Sequence, residues 1–447
     1  MTAPIPLTPA QPQVSAETRA RVALSCWAEY AFTRALRAVD AGRVTAEARG
    51  AAEGPLHGLL FSVKDLFPVA GVESCAGSLL LRGSVPESDP PLVGALRQAG
   101  AVVLGKGVCA EFGFGTDTEN RLDGRVRHFR DPALSPGGSS GGDAVAVGAG
   151  IADFAVAGDY GGSVRWPAQA AGVLGLRLGT AHPLAGPAST GRIGLAPPRA
   201  ADASLQSRTE TAGLMARSPA VLGAVLAALA APARGGPARK TLLVSDGTEI
   251  AAVRPEVARA VTAAAAAAER AGYRLVAAPA GLRAALCDAR SLYAALRAAT
   301  DDHREVRRLA AGREEQLCES TLAVLEQSER ALASPGHPEV AALCGRAEQI
   351  RLAVRAALRA AGAGALLLPL APSGPVGFAA TTEVAGRRLS TTDLMAHCRA
   401  VSLTGLPALS LPTGQGPSVQ LVGADRGEER LCAVAADLVG AGLGAVA

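Results

Sequence analysis

Two serine segments bracketed by glycines carry the most evident chemistry in this chain. Residues 136–143 read Pro-Gly-Gly-Ser-Ser-Gly-Gly-Asp and present the adjacent pair Ser139 and Ser140; residues 159–163 read Asp-Tyr-Gly-Gly-Ser and present Ser163 directly after a short apolar run. Glycine permits positive φ and close backbone approach. A serine delivered by a tight glycine turn at a strand end, with several backbone N–H groups converging, has the form of a nucleophile beside an oxyanion hole. Its hydroxyl attacks well only if a base removes its proton. The six histidines, His57, His128, His182, His303, His337 and His397, sit in unrelated contexts, and each reads as structural or surface rather than as a triad member. The base must be something else.

Of 44 cationic side chains only three are lysine: Lys64, Lys106 and Lys240. Arginine is effectively always charged, so any amine base is one of these three. A lysine works as a base only when neutral, with its pKa brought down from about 10.4 toward the working pH. Burial in a dry pocket does that by disfavouring the charged form. Lys64 follows the apolar run 59–63, which would carry it inside, and Asp65 must then point elsewhere or its charge would keep the lysine protonated. Lys106, after the run 101–104, is expected to cap that strand or pair with an acid, and Lys240 to be solvated. The glycine-rich segment before Asp143 also suggests a phosphate cradle at a helix start, but no lysine lies between Lys106 and Lys240, so the P-loop order is missing.

The serine segments, in the form Gly-Gly-Ser-Ser-Gly-Gly (137–142) and Gly-Gly-Ser-Val-Arg-Trp-Pro-Ala (161–168), resemble the signature of the amidase signature family of serine amidohydrolases. Gly-Leu-Leu-Phe-Ser-Val-Lys-Asp (58–65) resembles the segment that holds that family's catalytic lysine, and further similarity runs through 96–106, Glu111-Phe112, Asn120, 213–217, 404–412 and 419–423. The resemblance implies Ser163 as nucleophile, Ser139 as a bridging serine following a cis Gly138–Ser139 peptide, and Lys64 as base. It further implies Ser140 as a supporting hydrogen-bonding residue, an oxyanion hole from the N–H groups of Tyr160, Gly161, Gly162 and Ser163, and Asp159 and Arg165 as braces of the nucleophile loop. Three positions depart from the commonest pattern. Tyr160 places a ring beside the oxyanion hole; Trp166 stands where a smaller residue is frequent; Asp143 puts a carboxylate at a helix start, where the helix dipole tolerates it. Tyr160 and Trp166 are read equally well as pocket walls or as packing.

The implied activity is hydrolysis of a small-molecule carboxylic amide, without cofactor or metal. Two alternatives remain: an acyltransferase that sends the acyl-enzyme to an amine, and the glutaminase subunit of a tRNA-dependent amidotransferase. The second is disfavoured by the lack of a basic block.

The elements that must position these residues follow from apolar periodicity. Short apolar runs at 59–63, 101–104, 154–158, 241–245, 274–277, 365–368, 408–411 and 419–422 read as strands, and 15–41, 89–99, 143–150, 255–271, 282–327 and 339–361 as helices. This alternation predicts an α/β fold: one large domain with a central mixed β-sheet covered by helices on both faces. Within it, 1–50 is expected to be an N-terminal helical arm, 51–233 the signature core, 234–364 a variable helical region that with 371–388 builds the substrate pocket, and 365–447 the rest of the core; 232–239 is a surface connection. A net charge of +4, with arginines and acids interleaved, argues against nucleic-acid binding. No run is long and apolar enough to span a membrane, and the opening residues lack the form of a secretory signal, so a cytoplasmic location is expected. The eight cysteines are dispersed and predict neither a zinc site nor a disulfide framework. A homodimer is the default oligomeric expectation.

Overall fold

The computed structural model describes residues 14–186, 189, 191, 205, 209–229, 240–300, 303–333, 339–378, 382–390, 393–414 and 416–444; the expected connection at 232–239 and the opening residues 1–13 lie outside them. Eleven strands form one mixed sheet. In chain order the strands are β1 (Leu36–Arg37), β2 (Leu60–Lys64), β3 (Val102–Gly107), β4 (Glu119–Asn120), β5 (Gly124–Arg125), β6 (Phe154–Asp159), β7 (Leu174–Arg177), β8 (Thr211–Ala216), β9 (Thr241–Val244), β10 (Arg274–Ala277), β11 (Ala365–Pro369), β12 (Glu383–Val384), β13 (Arg387–Arg388), β14 (Ala408–Leu411) and β15 (Val419–Val422). The large sheet runs β1-β3-β2-β6-β8-β7-β14-β15-β11-β9-β10, while β4–β5 and β12–β13 are separate two-stranded pairs. β2 is parallel to both β3 and β6, and β9 to β10 and β11; the remaining pairings are antiparallel.

The central strands read as continuous apolar runs because both of their faces are covered. Along β2 and β6 alternate side chains serve different cores: Phe61, Val63, Phe154 and Val156 face one, and Leu60, Ala155 and Ala157 the other. Phe61 and Phe154 stack with ring centroids 4.9 Å apart. The first core is closed by helices Pro219–Leu229, Pro255–Arg270 and Glu428–Gly440. The second is closed by α1 (Ala16–Glu29), α2 (Ala41–Arg49), α4 (Gly141–Gly148) and α5 (Arg165–Ala171). α3 (Pro91–Gln98) ends at Ala99–Gly100, where Gly100 takes φ +95 and turns the chain into β3. A third core lies between helices Ala280–Ala299, Val340–Ala360 and Ala396–Leu403 and the outward face of β11 and β14.

Several expected elements differ. The single helix expected over 15–41 stops at Glu29; a left-handed Arg34 then leads into β1, which adds an antiparallel strand beside β3, and Asp40 caps α2 by accepting from Arg43 N. The N-terminal arm is therefore part of the sheet as well as helical. The helix expected over 282–327 is broken at Thr300, which is extended, and at Gly312, with φ +74. β7 and β8 are absent from the expectation because each contains a glycine pressed against α5 and its lead-in: a Cβ on Gly175 would lie 2.5 Å from Ala168 Cβ, and one on Gly213 2.7 Å from Val164 Cγ2. β3 runs three residues further than expected, to Gly107, and so contains Lys106.

Candidate active site

Lys64 is the last residue of β2, with one per cent of its surface exposed. Its Nζ donates to Ser139 Oγ at 2.7 Å. Burial lowers its pKa from the ordinary lysine value, against the opposing pull of Cys109, Asp143, Glu210 and Asp159. Asp65 does point away, as the base reading requires: its oxygens accept from Cys75 N at 3.1 Å and Gly77 N at 3.0 Å, and Arg37 lies 3.5 Å off. Lys106 is buried and donates to the Phe67 carbonyl, with burial bringing its pKa down to about 8 despite Asp65.

Ser139 follows a cis Gly138–Ser139 peptide, where the resemblance implies one. The loop is held by Thr118, whose hydroxyl donates to Gly137 O at 2.8 Å and accepts from Gly141 N at 2.9 Å. Ser140, expected to support by hydrogen bonding, does not: its Oγ is buried and has no partner among the described residues. Thr118 performs the expected bracing from a different segment.

Ser163 follows β6 on a tight turn. It retains nine per cent exposure against one per cent for Ser139, and both line the same cavity. Gly162 takes φ +119, and a Cβ there would lie 2.5 Å from Cys398 Cβ; only glycine fits. The Gly162 N–H donates to Asp159 Oδ1 at 2.8 Å, so this member of the expected oxyanion hole is already engaged. The N–H groups of Gly161 and Ser163 meet no acceptor among the described residues.

Beneath the turn, Arg165 donates from Nε and Nη2 to the two Asp159 oxygens, each at 3.0 Å. It also reaches Ser402 Oγ at 2.6 Å, Gln420 Oε1 at 2.9 Å and Cys398 O at 3.1 Å. Arg177, which sequence reasoning missed, donates to Asp159 O at 2.7 Å and Thr209 O at 2.6 Å and lies 3.6 Å from Asp159 Oδ1. Burial alone would raise the Asp159 carboxyl; the two guanidiniums outweigh it and hold it well below the usual carboxylate range.

Lys64, Ser139 and Ser163 share a cavity of about 40 Å³ whose walls include Leu66, Phe112, Phe114, Tyr160, Glu210 and His303. Phe114 and His303 meet edge to face at 4.8 Å. Tyr160 is thus a wall, packed at 6.1 Å from Tyr293. Trp166 is packing: it is buried with Leu370, Leu394 and Met395, and its Nε1 donates to Thr116 O at 2.9 Å. Among the described residues, His303 alone of the region 234–364 lines the cavity, and those of 371–388 contribute none. Helices Ala280–Ala299 and Val340–Ala360 pack into the third core instead, and the other cavity walls are Leu66 after β2, Phe112–Phe114, Gly158 and Tyr160 around the end of β6, and Glu210 before β8.

Residues 14–432 match the family model described as Amidase. The chain belongs to this family, the amidases that carry the amidase signature. Among curated relatives it is 44% identical over 125 residues to the glutamyl-tRNA(Gln) amidotransferase A subunit from Methanospirillum hungatei JF-1, covering 28% of this chain and 29% of that protein. It is 43% identical over 159 residues to the same subunit from Moorella thermoacetica, covering 36% and 32%. The matched stretch is therefore about a third or less of each relative's length. Among solved structures, a crystal structure of an amidase is 27% identical with a TM-score of 0.77 over 96% of both chains. A 6-aminohexanoate cyclic dimer hydrolase, at 24% identity and a TM-score of 0.76 over 96% of this chain and 94% of that one, shares the fold. No described helix is long and apolar enough to cross a membrane.

Proposed function

We propose that this chain hydrolyses a small-molecule carboxylic amide through an acyl-enzyme on Ser163, with neutral Lys64 as the base acting through Ser139. The observation that carries this reading is the 2.7 Å contact from Lys64 Nζ to Ser139 Oγ inside a cavity onto which Ser163 opens. As Ser163 Oγ attacks the amide carbon, its proton passes to Ser139, whose own proton moves to Lys64. The carbonyl oxygen gains charge against the N–H groups of Gly161 and Ser163, with Tyr160 N–H beside them. Removing one such donor typically costs about 10²–10³ in rate. Lys64 then returns the proton through Ser139 to the leaving nitrogen, and ammonia or an amine departs. Water attacks the ester by the same relay and releases the acid. Arg165, Arg177 and Asp159 act by holding the turn that aims Ser163.

The test is a screen of aryl, alkyl and amino-acid amides against the wild type and Ser163→Ala. Turnover that disappears in the variant supports the assignment; comparable turnover in both contradicts it.

A second reading is favoured by the similarity to the amidotransferase subunits: release of ammonia from glutamine for a partner protein. Purified chain that hydrolyses glutamine in preference to every other amide would favour it, whereas transfer of the acyl group to added amine would favour acyl transfer over hydrolysis.

A further inference from the structure

Two hydrogen bonds join β2 to α4 and to the segment that leads into it. Ser62 and Lys64, two residues apart on one strand, present their side chains to the same face. Opposite them, Ser139 precedes α4 and Asp143 occupies its first turn. Lys64 Nζ meets Ser139 Oγ at 2.7 Å, and Ser62 Oγ donates to Asp143 Oδ1 at 2.7 Å. The second contact therefore fixes how α4, and with it Ser139, stands against the lysine.

Asp143 is fully buried, and its Oδ2 has no hydrogen-bond partner among the described residues. A carboxylate in that position costs free energy unless something compensates it. Space for it exists because the neighbouring strand carries no side chain there. A register shift between Phe61 and Ser62 pairs Lys64 with Gly107 of β3, and a Cβ on Gly107 would lie 2.0 Å from Asp143 Oδ1. The carboxyl group thus sits over the residue directly beside Lys64.

We propose that Asp143 is a positioning residue for the lysine base: held over Gly107 by the Ser62 hydroxyl, its carboxylate governs how firmly Lys64 keeps its proton. It thereby sets the acidic edge of the pH range in which Ser163 is activated. This rests on the reading of Lys64 as the base. The charged and titratable groups facing Lys64 are Asp143 from α4, Cys109 after β3, Asp159 at the end of β6 and Glu210 before β8. Those facing Asp143 are Lys64, Lys106 and Asp65, the last also held by Arg37. Burial pushes the Asp143 carboxyl up to about 7, against the Ser62 hydrogen bond and the two lysines, which places its titration within the range where a lysine base is tuned. When ionised, it favours the protonated lysine; when neutral, it releases that hold. The two groups titrate as a pair, and an apparent acid limb belongs to both.

The test measures the rate constant for modification of Ser163 by a fluorophosphonate, followed by intact mass, from about pH 5 to about pH 10. Wild type, Asp143→Asn, Ser62→Ala and Lys64→Ala are compared. Asp143→Asn removes an anion beside Lys64, so the acid limb moves to lower pH by about one unit. Ser62→Ala keeps the carboxyl but removes a donor that favours its charged form, so the limb moves the same way by less. A limb that stays in place or moves upward in these variants, whatever the loss in rate, overturns the proposal and leaves a packing role only. If Asp143→Asn does not fold, Ser62→Ala decides by the same criterion. Lys64→Ala that labels at the wild-type rate and with the wild-type pH profile overturns the underlying reading of the base instead, so the two failures are distinct.

Discussion

Two buried charge clusters lie beside Ser139 and Ser163, and they are built on opposite principles. Around Asp159, two arginines and the N–H groups of Gly162 and Val164 satisfy the carboxylate, both of whose oxygens are engaged. Around Asp143, one hydroxyl is the only hydrogen-bond partner of the carboxyl group among the described residues, one oxygen is left over, and the nearby cations are lysines. In the first cluster the acid is held well below its ordinary range; in the second the acid is raised to about 7 while the lysines are lowered. The difference teaches what each is for. Guanidinium and satisfied carboxylate form a charge pair that no accessible pH alters, which suits a brace. Amine and under-satisfied carboxyl sit where a proton changes hands at moderate cost, which suits proton relay.

The contrast can be broken first at Arg165. Arg165→Met leaves Asp159 buried with Arg177 alone, and removing one partner of a buried ion pair costs about 3–5 kcal/mol. Urea unfolding at neutral pH should show a loss of that size, and Arg165→Lys should not restore it, because an ammonium cannot reproduce the two-pronged contact. Full stability in Arg165→Met would make the brace dispensable.

A smaller effect distinguishes the clusters by pH. The folded pKa of Asp159 is depressed, so its stabilisation is present above the unfolded value of about 3.9 and is lost only as pH falls below it. The penalty of Asp159→Asn is therefore expected to be the same at about pH 5 and about pH 8. The folded pKa of Asp143 is raised, so its favourable contribution is complete below about 3.9 and is lost as pH rises through about 7. Relative to wild type, Asp143→Asn is then expected to be more stable at about pH 8 than at about pH 5. An Asp143→Asn difference that does not change with pH would erase the distinction between the clusters.

The candidate site residues are legible in the sequence because they lie in local strings: Lys64 closing an apolar run, and two serines set among glycines that admit φ values other residues avoid; the structure brings all three to one cavity. The α/β alternation is legible for the same reason, since most strands are short apolar runs covered on both faces. What escapes is whatever depends on distant segments meeting. Thr118 and Arg177 make contacts across 18 to 32 residues, and nothing in their own neighbourhoods announces it. β7 and β8 hide because Gly175 and Gly213 weaken the strand pattern in exchange for close packing. Asp143 reads locally as a tolerated acid at a helix start. Its burial, its bond to Ser62 and its place over Gly107 require β2, β3 and α4 to be assembled.

The central claim is that neutral Lys64 acts by accepting a proton, and Lys64→Arg addresses it most directly. In the fluorophosphonate reaction the Ser163 oxygen forms a bond to phosphorus, fluoride leaves, and the serine proton passes through Ser139 to the base. A guanidinium cannot accept it. Labelling of Ser163 in Lys64→Arg, read by intact mass at neutral pH, should be slower than wild type by about 10²–10⁴, close to Lys64→Ala. A Lys64→Arg protein labelled at nearly the wild-type rate would show that residue 64 supplies only positive charge, and the account of the site would fail.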